Sequence, residues 1–273
     1  MADEKAVKIV KVRSIDGGVS QIECHDSLPS TSALAKKYAN SAYPDRYIVF
    51  SRAQTETGAL GEKLSDSQVA HGLFLSILLR PSMFPSQAGL LRALSGVAMI
   101  SALEEYTDKK LSIGWVSDIF CDGKKIGGVT LEGKLDSFNS YEYIIVSFHL
   151  RFSGKNFPPR LSDMVERVFE SDNTSTELLV AKNIISKFLP LYFNLKNSTK
   201  FMEEYRLKLG MKGQRAKLVR NGKKTKCKIE GVNIVTGSLI VDEKSVGRIE
   251  VSTPTGIILP KKVKQFKSNA EGL

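Results

Sequence analysis

One segment constrains this chain more than any other. Trp115-Val116-Ser117-Asp118-Ile119-Phe120-Cys121-Asp122-Gly123-Lys124-Lys125-Ile126-Gly127-Gly128-Val129 holds two short apolar runs around an Asp-Gly turn. That spacing predicts a hairpin, with a strand region over 111–120, a turn at Asp122-Gly123 and a second strand over 125–132. An antiparallel sheet must therefore lie in the middle of the chain, and the neighbouring segments have to pack on it.

The flanking pattern supplies those neighbours. Residues 7–13 alternate as a strand, and 22–24 suggest another. Ser30, Thr31 and Ser32 precede a short helix over 33–38, and any of the three fits its N-cap. A buried strand is expected over 47–50, a long polar loop over 51–68 and an apolar strand over 71–79. Pro81 and Pro85 break the chain before a long helix over 87–106. A strand over 141–152 follows, then helices over 161–169 and 175–195, and a connecting helix over 200–209.

The texture then changes. Residues 213–260 break into short alternating runs split by turns, as expected for a small β-barrel. Charge changes at the same place. From residue 196 onward there are 18 Lys or Arg against 7 Asp or Glu, whereas residues 1–195 hold 22 of each. The net charge of +11 thus lies entirely in the last 78 residues. The expected organisation is a first domain over 1–199, a small barrel over 200–265 and a frayed tail over 266–273. The fold class is α+β, a mixed sheet with packed helices followed by a small barrel. It lacks the regular β-α-β alternation of a doubly wound sheet.

Cys24, Cys121 and Cys227 are far apart and odd in number, which suits reduced thiols better than a disulfide framework or a zinc site. The start of the chain is charged and has no apolar core, so no signal peptide is expected. The longest apolar run, over 72–79, has eight residues, against the roughly 20 of a membrane helix. A cytoplasmic protein with no membrane partner is expected.

The Trp115–Gly128 segment resembles a hallmark of the biotin protein ligases, in the biotin/lipoate protein ligase superfamily. In that family the pattern runs Lys-Trp-Pro-Asn-Asp, an apolar strand, a turn, a Lys, then a small residue and Gly. Trp115, Asp118, Lys125 and Gly128 match it. Other segments follow in family order. Ser30-Thr31-Ser32 is similar to the family's Ser-Thr-Asn, and residues 47–54 look like the strand leading to its Gln, here Gln54. Residues 72–80 look like the strand after its glycine-rich loop, and 205–260 like its C-terminal SH3-like barrel. The family's N-terminal DNA-binding segment has no counterpart expected here.

The resemblance implies ATP-dependent activation of biotin to biotinyl-adenylate, then transfer to a lysine of the biotin carboxyl carrier domain of a biotin-dependent carboxylase. It implies biotin and ATP as substrates and Mg²⁺ as cofactor. Activation of a carboxylate at an α-phosphate needs cations and N–H donors around the phosphate oxygens.

Residue by residue, the resemblance gives Lys125 contact with the biotin carboxylate and phosphate. Read by itself, Lys125 is more simply a solvated hairpin lysine; the resemblance reverses that reading. Gly127 and Gly128 would let biotin approach closely, or mark a β-bulge. Asp118 would stand near Mg²⁺ and the nucleotide, or cap a turn. Trp115 would face adenine or sit in the core. Ser30, Thr31 and Ser32 would bind the ureido ring of biotin, cap the helix, or both. Gln54 would close over the biotin head or end a strand as a polar residue. Gly58 and Gly61 stand in register with the glycines of the family's nucleotide loop.

Three segments depart from the family. Its loop Gly-Arg-Gly-Arg-Arg-Gly is here Thr55-Glu56-Thr57-Gly58-Ala59-Leu60-Gly61, without the arginines. Its Gly-x-Gly-x-Asn-Val strand is here Ile145-Val146-Ser147-Phe148-His149-Leu150. The Lys before Trp115 and the Asn before Asp118 are replaced by Gly114 and Ser117. A catalytically degenerate homologue, binding biotin, a related acyl group or a carrier domain without ligation, is the alternative.

Two further readings stay open. Cys121 with His149 would suit acyl transfer through a thiol. The basic C-terminal region would suit RNA, but no aromatic lies between 206 and 265, which disfavours base stacking. Nucleic acid is therefore not the expected partner. Both a monomer and a homodimer are compatible with the sequence.

Overall fold

The computed structural model describes residues 8–13, 19–57, 62–63, 70–151, 176–220 and 222–260. The elements that build the first sheet are β1 (Lys8–Arg13), β2 (Val19–His25), β3 (Tyr47–Gln54), β6 (Ala70–Leu79), β7 (Leu111–Ile113), β8 (Asp118–Cys121), β9 (Lys124–Leu135) and β10 (Tyr141–Arg151). Two-residue strands β4 (Glu56–Thr57) and β5 (Glu62–Lys63) pair with each other outside it. The eight strands stand in the order β1-β2-β3-β6-β10-β9-β8-β7. Every neighbouring pair is antiparallel except β2 with β3. The mixed sheet of the sequence expectation is present.

Its two faces are unlike because side chains alternate along a strand. On one face Leu75, Ile77, Val146, Phe148 and Leu150 are buried against helices α2 (Ala88–Leu103) and α3 (Thr176–Phe193). Phe148 meets Phe188 of α3 edge to face, with ring centroids 5.6 Å apart. The segment 85–106 is long and apolar enough to cross a membrane by length and composition. Its apolar side chains, Leu91, Leu94, Val97 and Ile100 among them, are the core of this domain instead.

On the other face, helix α1 (Thr31–Asn40) covers one end of the sheet. Ala35 and Ala39 pack on Val49, Leu78, Tyr143 and Ile145. Under α1 the buried Glu23 carboxylate accepts from the hydroxyls of Tyr38 (2.9 Å) and Tyr47 (2.7 Å) and meets His25 Nε2 at 2.7 Å. Burial, aided by that carboxylate, pushes both tyrosine hydroxyls up in pKa. The helix cap is resolved among three candidates: Ser30 is the N-cap, its Oγ accepting from Ala33 N at 3.3 Å.

The second sheet holds β11 (Arg215–Arg220), β12 (Lys223–Val232), β13 (Leu239–Glu243), β14 (Gly247–Val251) and β15 (Ile257–Ile258), in the order β14-β13-β12-β11-β15. All pairs are antiparallel. A second sheet thus stands where the small barrel was expected; β14 and β15 are its edges among the described residues. Helix α4 (Thr199–Lys208) packs on α2 through Phe201, Met202 and Tyr205, and one hydrophobic core runs on into Leu218, Ile229 and Val241 of the second sheet.

Several boundaries differ from the expectation. The polar segment expected as loop from residue 51 begins as strand, since β3 continues to Gln54. The expected strand region over 111–120 is two strands, β7 and β8, around a turn at Gly114–Ser117. The expected helix over 161–169, the tail over 266–273, Gly58 and Gly61 lie outside the described residues.

Candidate active site

The turn that splits the expected strand is the first part of the site. Ser117 N donates to Gly114 O at 2.9 Å, and Val116 has φ 75°, Ser117 φ 63°. Position 116 carries the positive φ for which a type II turn selects glycine or asparagine. A β-branched residue there is strained, by about 1–3 kcal/mol. The family pattern has proline at this place, locked near −65°. The backbone at Val116 therefore departs from that pattern in conformation as well as in side chain.

Three tethers hold the turn. Ser117 Oγ donates to Arg92 O of α2 at 2.6 Å. Tyr205, fully buried on α4, places its hydroxyl 3.5 Å from Gly114 O. Trp115 is 3% exposed, and its indole N–H donates to Gly237 O at 3.0 Å. Trp115 thus joins the hairpin to the β12–β13 turn of the second sheet. The structure puts it among core residues.

Asp118 follows directly. Its Oδ1 lies 2.6 Å from Lys125 Nζ, with both side chains partly exposed. A β-bulge brings these two together. Ile119 pairs with Gly127 and Phe120 with Lys125, so Ile126 is the extra residue. In a regular ladder Lys125 would point away from Asp118, which pairs with Gly128; the bulge re-aims it. Ile126 itself is buried in the core.

Gly128 forms the floor, while Gly127 faces the helix side and packs against Leu150 of β10. A Cβ on Gly127 would lie 2.3 Å from His149 O, so no other residue fits. A Cβ on Gly128 would lie 3.1 Å from Asp118 Oδ1 and 3.2 Å from His149 Cε1. Asp118 and His149 therefore flank the same small space above Gly128.

The second part of the site lies along the same face, toward α1. The segment before α1 pairs with the end of β3, through Leu28 N to Ala53 O (3.1 Å) and Glu56 N to Pro29 O (3.0 Å). That places Gln54 against the helix N-terminus. Thr31 donates to Gln54 Oε1 from its backbone N (2.7 Å) and its Oγ1 (3.0 Å). Ser76 Oγ donates to Thr31 Oγ1 at 2.9 Å and stands 2.9 Å from Ser147 Oγ. Each hydroxyl has one proton. With the protons of Thr31 and Ser76 committed, Ser147 must donate to Ser76. The chain runs Ser147, Ser76, Thr31, Gln54, and leaves the lone pairs of Ser147 to accept.

Register ties the two parts together. Ser147 pairs with Ser76 on one side and Thr130 on the other, and His149 with Phe74 and Gly128. Ser147 and His149 are two residues apart on β10 and share this face. Thr31, Gln54, Ser76, Ser147, His149, Gly128, Asp118 and Lys125 thus lie along one face, from the N-terminus of α1 to the bulged hairpin. Ser30 and Ser32 face each other at 3.1 Å between their Oγ atoms. Sequence reasoning missed Ser76, whose serine inside an apolar strand was the available signal. It read Ser147 only as a departure.

Ile145, at the third changed position of β10, is 1% exposed and packs with Ala35 and Ala39 under α1. Cys121 is 2% exposed in the core, and burial, then Asp122, raises its pKa. A thiol held neutral and packed among apolar side chains is no nucleophile, so the thiol reading with His149 loses its support. Among the described residues no group of three or more His, Cys, Asp or Glu is placed to hold a metal. A Mg²⁺ that arrives with nucleotide phosphates needs only one or two carboxylates. Asp118 suits that role, with one oxygen already on Lys125.

Residues 24–149 match the model of the biotin/lipoate A/B protein ligase family. Bifunctional ligase/repressor BirA of Bacillus subtilis (strain 168) is 28% identical over 141 residues, 51% of this chain and 43% of that protein. The match thus spans less than half the length of that curated relative. Among solved structures, biotin protein ligase from Aquifex aeolicus in complex with biotin and ATP superposes with a TM-score of 0.62 at 22% identity, over 88% of this chain and 98% of that one. A biotin protein ligase-like protein of unknown function from Silicibacter sp. TM1040 does so with a TM-score of 0.57 at 13% identity, over 85% and 94%. At these identities the superpositions show the fold. Over residues 24–149 the chain is thus similar to the biotin/lipoate A/B protein ligases in sequence, and over most of its length it shares the fold of the biotin protein ligases.

Proposed function

We propose that the protein is a biotin–protein ligase: it activates biotin with ATP to biotinyl-adenylate and transfers the biotinyl group to a lysine of a carboxylase carrier domain. The observation that carries this reading is the Lys125–Asp118 pair at 2.6 Å, set over a glycine floor by a β-bulge. A cation so placed neutralises the biotin carboxylate as it approaches the α-phosphate, and holds charge on the phosphate oxygens as pyrophosphate departs. Asp118 would share a nucleotide-borne Mg²⁺, which supplies further positive charge to the phosphates. Gly128 lets the reacting carboxylate lie against the backbone, whereas Gly127, on the other face, serves the close approach of β9 to β10.

The hydroxyl chain supports biotin at the other end. Its terminal Ser147 oxygen accepts, and a ureido ring offers N–H donors. Ser30, Thr31, Ser32 and Gln54 form the wall at the helix N-terminus. Trp115 would act on the nucleotide side by holding the hairpin, and Gly58 and Gly61 remain the proposed nucleotide loop. The two-part organisation, 1–199 and 200–265 with a tail at 266–273, belongs to this reading. So do closure of the second sheet into an SH3-like barrel and a cytoplasmic location. The five antiparallel strands in 215–258 support the barrel.

The second reading, a binding protein without ligation, is favoured by one observation. Ile145 is buried and Ser147 is hydrogen-bonded, so side chains fill β10 where the family has open glycines. Biotin-dependent pyrophosphate release from Mg²⁺ATP separates the two. Release that Lys125→Met abolishes supports ligation. Thermal stabilisation by biotin with no pyrophosphate supports the binding protein.

A further inference from the structure

The second sheet has an outward face with no part in the site described. Along β11 and β12 the burial alternates, with Ala216, Leu218, Cys227 and Ile229 inward and Arg215, Lys217, Lys224, Lys226 and Lys228 exposed. The cations meet across the ladder: Arg215 pairs with Lys228 and Lys217 with Lys226. Like charges directly opposite one another destabilise a sheet. None of these five takes part in an ion pair among the described residues. No ion pair among the described residues therefore offsets the repulsion between Lys217 and Lys226 or between Arg215 and Lys228.

We infer that this face docks an acidic protein surface, and that its occupant is the acceptor carrier domain of the proposed reaction; the identity of the occupant rests on that reading. Charge complementarity is the argument. Residues two apart on a strand stand about 6.6–6.8 Å apart, and neighbouring strands about 4.8 Å. The five cations therefore make a compact patch, not a track. Acidic groups border it: Lys228 pairs onward with Asp242 of β13, and Glu230 follows on β12. A bounded patch with acids at its rim fits another protein whose charges come in register. A continuous polyanion would meet repulsion at that rim. Four of the five are lysines, point charges without the guanidinium fork that grips phosphate in two places. No aromatic lies between 206 and 265 for bases to stack on.

The test is binding of an acidic apo biotin carboxyl carrier domain to the full chain, by fluorescence anisotropy at low and high salt. A single-stranded 20-nucleotide RNA serves as the competing probe. The double variant Lys217→Glu with Lys226→Glu keeps a like-charge pair in the ladder, so the fold loses nothing at that pair. The inference expects carrier binding that weakens with salt, and that the double variant weakens by about tenfold or more. Lys217→Arg with Lys226→Arg retains it. Equal binding by wild type and the Glu variant overturns it, as does no carrier binding, or RNA bound more tightly than the carrier. Biotinyl-adenylate formation is measured alongside. Its absence with charge-dependent carrier binding would sink the ligase reading and leave the docking surface. Its presence with charge-independent binding would do the reverse.

Discussion

The two faces of the eight-stranded sheet are made by the same strands and obey different rules. On β10, Val146, Phe148 and Leu150 face the helices, while Ile145, Ser147 and His149 face α1 and the open end. On β6, Leu75 and Ile77 face the helices, while Ser76 faces Ser147. The helix side is stabilised by removing apolar area from water, at about 25 cal/mol per Å². The α1 side buries hydroxyls and an amide, which costs free energy unless each finds a partner. The chain of Ser147, Ser76, Thr31 and Gln54 provides the partners. The helix side explains why the sheet exists; the α1 side explains what it is held open for.

The largest break in this comparison comes from the helix side. Phe148→Ala removes a ring packed on Phe188 and should lower unfolding free energy by about 3–5 kcal/mol, read by urea denaturation. An equal loss from Ser147→Ala would show that the two faces do not differ in kind.

Lys125→Met is next, and it should separate chemistry from stability. Adenylate formation should fall by about 10²–10³-fold, as for loss of one charge-stabilising donor, with the urea midpoint within experimental error of wild type. A variant that keeps its rate would put Lys125 on the solvated surface of the hairpin.

Thr31→Val tests the hydroxyl chain. It strands Ser76 and removes one donor from Gln54, so stability should drop by about 1–3 kcal/mol and biotin affinity with it. Ser147→Gly is the smallest and sharpest. It restores the glycine of the family pattern at a cost of about 0.5–1 kcal/mol in the strand. Tighter biotin binding, by isothermal titration, would mean that the Ser147 side chain occupies ligand space. Weaker binding would mean that its lone pairs serve the ligand.

The helix side was largely legible in the sequence. Apolar runs with period two or 3.6 place β3, β6, β10, α2 and α3 within a few residues, because burial on that side follows periodicity alone. The α1 side was legible only through the resemblance. Thr31, Gln54 and the hairpin residues Asp118, Lys125 and Gly128 come from separate segments, and register brings them to one face. Two local features had no sequence signal. Val116 at φ 75° hides a turn, because a valine announces a strand and its strain is held by contacts of the turn with Arg92, Tyr205 and Gly237 from elsewhere in the chain. The bulge at Ile126 re-aims Lys125, and nothing in Lys124-Lys125-Ile126 tells which lysine will face Asp118.

The central claim is that the α1 side performs biotin activation and transfer. Its most direct test is to incubate the protein with biotin, Mg²⁺ATP and an apo carrier domain, and to follow the carrier by intact-mass spectrometry. The account predicts one biotinyl group added to the acceptor lysine, dependent on ATP and lost in Lys125→Met. An unmodified carrier, with biotin nonetheless bound to the protein, would contradict it.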